Sequence, residues 1–143
     1  MIDTTFEDAV KDVIALFEQA KSEWSEFPLA VDYPNRQQVN LEEQTLPYVD
    51  LSFDWLTGET LDIHSDAFSR YWFSVVVAVG TKKNEGHFTA QRLLQHFADR
   101  LHLRSTPHVT LQQGRPTKLR EAHGWEYRPL LVIGFFTRTR SGT

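Results

Sequence analysis

Apolar residues recur at helical spacing twice along this chain, and strand-like runs lie between and after those stretches. In TTFEDAVKDVIALFEQAKSEW, Phe6, Val10, Val13, Phe17, Ala20 and Trp24 share one stripe, so the spacing predicts a helix packed into a core. Thr4 and Glu7 stand before it at capping-box spacing, and Pro28 marks its exit. GHFTAQRLLQHFADRLHLR predicts a second helix. Its core side is Phe88, Leu94, Phe97, Ala98 and Leu101, with Ala90, Gln91 and Gln95 turned away.

The strand signals differ in kind. PLAVDYPN is a short strand between two prolines, and RQQVNLEEQ reads as polar loop. LPYVDLSFDWLTG alternates Tyr48, Asp50, Ser52 and Asp54 with Val49, Leu51, Phe53 and Trp55, the pattern of a half-buried strand. LTGETLDIHSDAFSR is then a long acidic connection, or the two ends of a protruding hairpin. RYWFSVVVAVG is β-branched and aromatic with few polar positions, which suits a central strand covered on both faces. A short strand around His108 to Gln112 precedes a Gly/Pro-punctuated basic loop. WEYRPLLVIGFFTRTR closes the chain as a strand with Pro129 near its start and a bulge expected at Gly134. The order is α-β-β-β-α-β-β. That is an α+β fold, a mainly antiparallel sheet flanked by two main helices, with residues 1–143 forming a single domain.

The chain of 143 residues is long enough to bury its own core. It contains no cysteine, which excludes disulfide frameworks, cysteine-ligated zinc and thiol catalysis. No apolar run is long enough to span a membrane, and MIDTTFEDAV lacks a signal-peptide pattern, so a soluble protein of a cytoplasm-like compartment is expected. The net charge of -4 hides a gradient. Residues 1–66 carry net -12, residues 67–102 net +3 and residues 103–143 net +5. Such an asymmetry arises by chance on one surface, or it suits a head-to-tail contact between unlike faces of neighbouring copies.

Candidate chemistry narrows on inspection. VVVAVGTKKNEGHFTAQ has the strand–loop–helix layout of a phosphate cradle. Gly80 and Gly86, however, are separated by five residues instead of four, and Gly86 precedes His87 and Phe88 instead of Lys-Ser/Thr. A connection with an exposed lysine pair, Lys82 and Lys83, is the plainer reading. His96 and His102 are six apart, not the i, i+4 of a zinc helix, and His64 with Asp62 and Asp66 reads equally well as an acidic loop. No G-x-S-x-G appears, and Asp50 and Asp54 on one strand face read as solvent-facing carboxylates. Arg115, Lys118, Arg120, Arg128, Arg138 and Arg140 with Trp125 and Tyr127 give partial support for single-stranded nucleic acid, against an acidic whole with pI about 5.8.

The sequence of segments resembles the tail terminator (tail completion, head–tail joining) proteins of long-tailed bacteriophages. The matching parts are the amphipathic first helix, LPYVDLSFDWLTGE, RYWFSVVVAVGT, the loop ending in EGH, the helix FTAQRLLQHFADRL and the closing GWEYRPLLVIGFFTRTR, together residues 5–138. The resemblance implies a structural virion protein with no catalytic, metal or cofactor site, and a fold related to the tail tube protein. It implies a hexameric ring of identical subunits that caps the tube, ends its polymerisation and offers a surface to the head. Its partners would be further copies of itself, the major tail tube protein and a head completion or connector protein. Genomic DNA would pass through the lumen without specific binding, and no membrane would be involved. The location would be the head-proximal end of the tail, with host cytoplasm during assembly. Candidate inter-subunit or inter-ring contacts are Glu59, Asp62, Asp66, Lys82, Lys83, Arg115, Lys118 and Arg120. The alternatives are another neck or tail-tube component of the same fold, or a small α+β enzyme or ligand-binding module using the loops around His64, His87 and His123.

Overall fold

A computed structural model describes residues 4–34, 39–60 and 68–139. The order is α1 (Phe6–Ser22), β1 (Val31–Asp32), β2 (Tyr48–Thr60), β3 (Phe68–Lys82), α2 (His87–Leu101), β4 (Thr110–Pro116), β5 (Arg120–Ala122) and β6 (Trp125–Thr139). The fold is α+β as expected, with one strand more than periodicity marks. Part of the supposed basic loop is β5, which pairs with the start of β6 through a turn in which His123 and Gly124 both have positive φ (55° and 78°).

One six-stranded sheet runs β1-β2-β3-β6-β4, with β5 beside β6. The β2–β3, β3–β6, β4–β6 and β5–β6 pairs are antiparallel, and β1 joins β2 in parallel. β2 and β3 pair as far as Thr60 opposite Ser69, so the acidic connection is the end of a hairpin; residues 61–67, including Asp62, His64 and Asp66, lie outside the described residues. Leu56 is the extra residue of a bulge in β2, opposite the step from Phe73 to Trp72.

Alternation sorts the strands into two faces. Val49 and Leu51 of β2, Phe73, Val75, Val77 and Val79 of β3, and Leu130, Val132 and Phe136 of β6 point to one side and are buried there. Both helices lie on that side. α1 contributes Ala9, Val13, Phe17 and Ala20, and α2 contributes Ala90, Leu93, Leu94, Phe97 and Leu101. Phe17 and Phe97 stack at 5.0 Å where the helices meet. β3 is central, yet among the described residues helices cover it on one face only, a correction to the expectation of cover on both. Packing also corrects the second helix. Ala90 is fully buried and Phe88 is 78% exposed, because Ala90 is in phase with Leu93, Leu94, Phe97 and Leu101 on the covered side of α2, while Phe88, two positions earlier, points to the opposite side.

The α1 cap is one residue later than the spacing of Thr4 and Glu7 suggests. Thr5 accepts from the Asp8 amide at 3.0 Å, and Asp8 faces back toward the Thr5 amide. Thr4 is buried instead, against the ring and carbonyl of His108. At the other end of α1, His96 donates Nε2–H to the Ala20 carbonyl at 2.7 Å and satisfies one of the last-turn acceptors. This accounts for a buried histidine on α2 without a ligand.

Two proline and glycine expectations resolve differently. Pro129 is the fifth residue of β6 and stands opposite Ala78 of β3. Its carbonyl accepts from the Thr117 amide, so its backbone polar side faces away from β3, and the missing N–H breaks no bond of the central ladder. Gly134 is no bulge. A Cβ there would stand 2.5 Å from the Phe73 ring and 2.8 Å from Leu111. The neighbouring irregularity belongs to β4, between Leu111 and Gly114.

Candidate functional site

The other face of the sheet has no helix on it among the described residues, and its composition is ordered. Register builds rows across it. Asp50, Ala78 and Pro129 form one row. Ser52, Val76, Leu131 and Arg115 form the next, and Asp54, Ser74 and Ile133 a third. Tyr48, Gly80, Tyr127 and Arg120 close the series at one end. Each row runs from the β2 margin, through small or apolar residues on β3 and β6, toward the β4–β5 margin. Asp50, Ser52 and Asp54 are exposed, as are Arg115, Lys118 and Arg120, while Val76, Leu131 and Ile133 are half-buried. The margins lie three strand spacings apart, about 14 Å.

Gly80 has a structural task in the end row. The Tyr48 and Tyr127 rings close over it, and a Cβ would lie 2.8 Å and 3.0 Å from them. Their hydroxyls meet at 2.5 Å, and burial together with that bond holds the Tyr48 phenol well above its ordinary value. Gly86, in left-handed backbone at φ 68°, precedes α2 with no side-chain cap. The two glycines of the strand–loop–helix motif therefore serve packing and a turn. Asp50 sits beside Asp32 across the parallel β1–β2 pair. Crowding by the sheet first, and the Asp32 carboxylate second, raise its pKa, with Arg120 acting in the opposite sense.

At the far end of the sheet the aromatic residues gather. Phe6 lies 4.7 Å from Trp55, 5.1 Å from Tyr71 and 5.6 Å from Phe136, all on the helix side. On the helix-free side the Arg70 guanidinium stands over Phe135 at 4.5 Å and Trp72 at 5.7 Å, a cation–π arrangement. Alternation alone places Trp55 inward. It does point to the helix side, where it meets Phe6 at the very start of α1, and is 46% exposed.

The six described candidate contact residues are spread along the length of the sheet. Lys82 ends β3, and Lys83 follows it with its ammonium 3.7 Å from Glu121, so the acidic neighbour at this rim belongs to the same chain. Arg115, Lys118 and Arg120 are exposed around the turn joining β4 to β5. Glu59 stands in register with Arg70 at the opposite pole, about 40 Å along β3 from Lys82. Asp62 and Asp66 lie outside the described residues. The structure thus places Lys82, Lys83 and Arg120 toward one end of the sheet and Glu59 at the other, with Arg115 midway, in register with Leu131 and Val76. Periodicity does not single out Val76, Leu131 and Ile133, which form the apolar middle of the helix-free face. Their signal lies in the unbroken apolar runs of β3 and β6, but such a run reads equally as burial within the subunit.

The described histidines form no centre. His87 meets the Arg128 guanidinium at 3.0 Å, and Arg128 also donates to Thr81. Among the described residues no group of three His, Cys, Asp or Glu side chains is placed to hold a metal. No helix among them is long and apolar enough to cross a membrane.

An α+β domain whose described helices lie on one face of the sheet is the class that this geometry defines. Among the solved structures similar to it is one with a TM-score of 0.57 and 15% identity over 90% of this chain and 95% of that chain. At that identity the likeness is one of fold alone. No family model and no curated protein matches the chain.

Proposed function

We propose that this chain is a ring-forming subunit of a phage tail, the terminator that caps the finished tail tube and presents a surface to the head. The observation that carries the reading is the opposite charge of the two sheet margins, Asp50 and Asp54 on β2 against Arg115, Lys118 and Arg120 around β4 and β5. Unlike margins on one subunit favour a heterologous contact, and such a contact, repeated by rotation, closes into a ring. The apolar residues on both faces of β3 and β6 support association in the same way, because the subunit's own helices cover only one face. In this reading the chain acts as a scaffold, and its partners are further copies, the major tail tube protein and a head completion or connector protein.

Negative-stain imaging of the purified protein mixed with tail tubes tests the reading. Rings with a central hole, seated on tube ends, are expected. A compact monomer that leaves tube ends bare at every concentration contradicts it.

A further inference from the structure

The helix-free face is complementary to itself, and we infer that two copies of this chain pair through it, sheet against sheet, about a two-fold axis parallel to the strands. The placement follows from the register. Let the axis lie over the middle of the sheet, between β3 and β6. Rotation about it exchanges left with right across the strands and leaves position along them unchanged. The β2 margin of one copy then lies over the β4–β5 margin of the other, so Arg115 of each lies over Ser52 of its mate, between Asp50 and Asp54, and Arg120 lies over Tyr48, one row from Asp50. Val76 of one copy lies over Leu131 of the other, because these two already share a row and flank the axis. Sheets stack about 10 Å apart with strands aligned to within roughly 30°, the distance at which such side chains interdigitate. The contact is isologous, so every acid–base meeting occurs twice.

This pairing rests on the face alone and stands without the tail reading. The two contacts compete, however, because the same margins serve both. A chain paired face to face has its charged margins occupied and cannot enter a head-to-tail ring. The pair is therefore the form of the free chain, and ring assembly requires its dissociation.

Two charge-reversal variants test it. One carries Asp50→Lys and Asp54→Lys, the other Arg115→Glu and Arg120→Glu. All four positions are exposed, so each variant is expected to fold, and circular dichroism is the check. In sedimentation equilibrium the native chain is expected as a dimer and each variant alone as a monomer. A mixture of the two is expected to associate at one to one and stop at two copies. A native chain that remains monomeric overturns the pairing. Larger, even-numbered assemblies in the mixture also overturn it, and favour the head-to-tail contact instead. The chain has no cysteine, which allows a second check: Val76→Cys mixed with Leu131→Cys should be joined by a short bifunctional maleimide, whose reach suits sheets about 10 Å apart, a gap too wide for a direct disulfide. Absence of that linkage in a sample that sediments as a dimer places the contact elsewhere and overturns the geometry.

Discussion

The two faces of one sheet are built to different rules. On the helix side Val77, Val79, Leu130 and Val132 are buried almost completely and meet Phe17, Leu93 and Phe97 from the helices. On the other side Val76, Leu131 and Ile133, their immediate neighbours along the same strands, are left half-buried between an acidic and a basic margin. Neighbouring residues thus belong to different problems, since successive side chains point to opposite faces. The first set makes the core. The second set is apolar but only partly buried, between margins of opposite charge.

The contrast is sharpest where the covered face is broken. Phe97 is fully buried and stacked on Phe17, so Phe97→Ala removes contacts from both helices and leaves a cavity. Chemical denaturation should show a loss of about 3–5 kcal/mol. Gly134→Ala acts by the opposite error. Its new methyl meets Phe73 and Leu111 at distances that force both to move, and about 1–3 kcal/mol of destabilisation is expected, read in the same way.

A smaller effect is expected at the α1 cap. Thr5→Ala should cost about 1 kcal/mol, measured by thermal melting. The hydrogen bond from Thr5 lowers the Asp8 pKa below its ordinary value of 3.8. A carboxylate lowered in the folded state adds stability above its unfolded value and loses it as pH falls through the folded one. The deficit of Thr5→Ala is therefore widest near neutral pH and narrows in acid, whereas a deficit that grows in acid contradicts the capping box.

The least effect on stability belongs to the helix-free face. Asp54→Lys should change the unfolding free energy by no more than about 0.5 kcal/mol, since the residue is exposed and makes no core contact. A large loss there would mean that the two faces share the work of folding, and the comparison would fail.

Much of the fold is legible in the order of residues. The α1 stripe, the alternation of β2 and the centrality of β3 follow from periodicity, because burial of a stripe or a face leaves a repeat in the sequence. The α2 stripe is less legible. Phe88 and Ala90 exchange expected roles because the buried stripe runs through Ala90, Leu93, Leu94, Phe97 and Leu101, and a large apolar residue two positions before it falls on the opposite side of the helix. β5 escapes a pattern-based reading because all three of its residues are exposed, so no apolar repeat marks it. His96 has no visible partner in its own segment because the Ala20 carbonyl lies 76 positions away. For the candidate site, the charge gradient is visible in composition. The pairing of rows is not, because it depends on strand order, and β6 places its neighbours β3 and β4 together from distant parts of the chain.

The tail reading meets its most direct test in the phage itself. Deleting this gene and imaging the particles formed should reveal tails of uncontrolled, excessive length that carry no heads, since nothing would end polymerisation or present a joining surface. Complete phage with tails of ordinary length would contradict the account, and a total absence of tails would assign the chain to the tube instead.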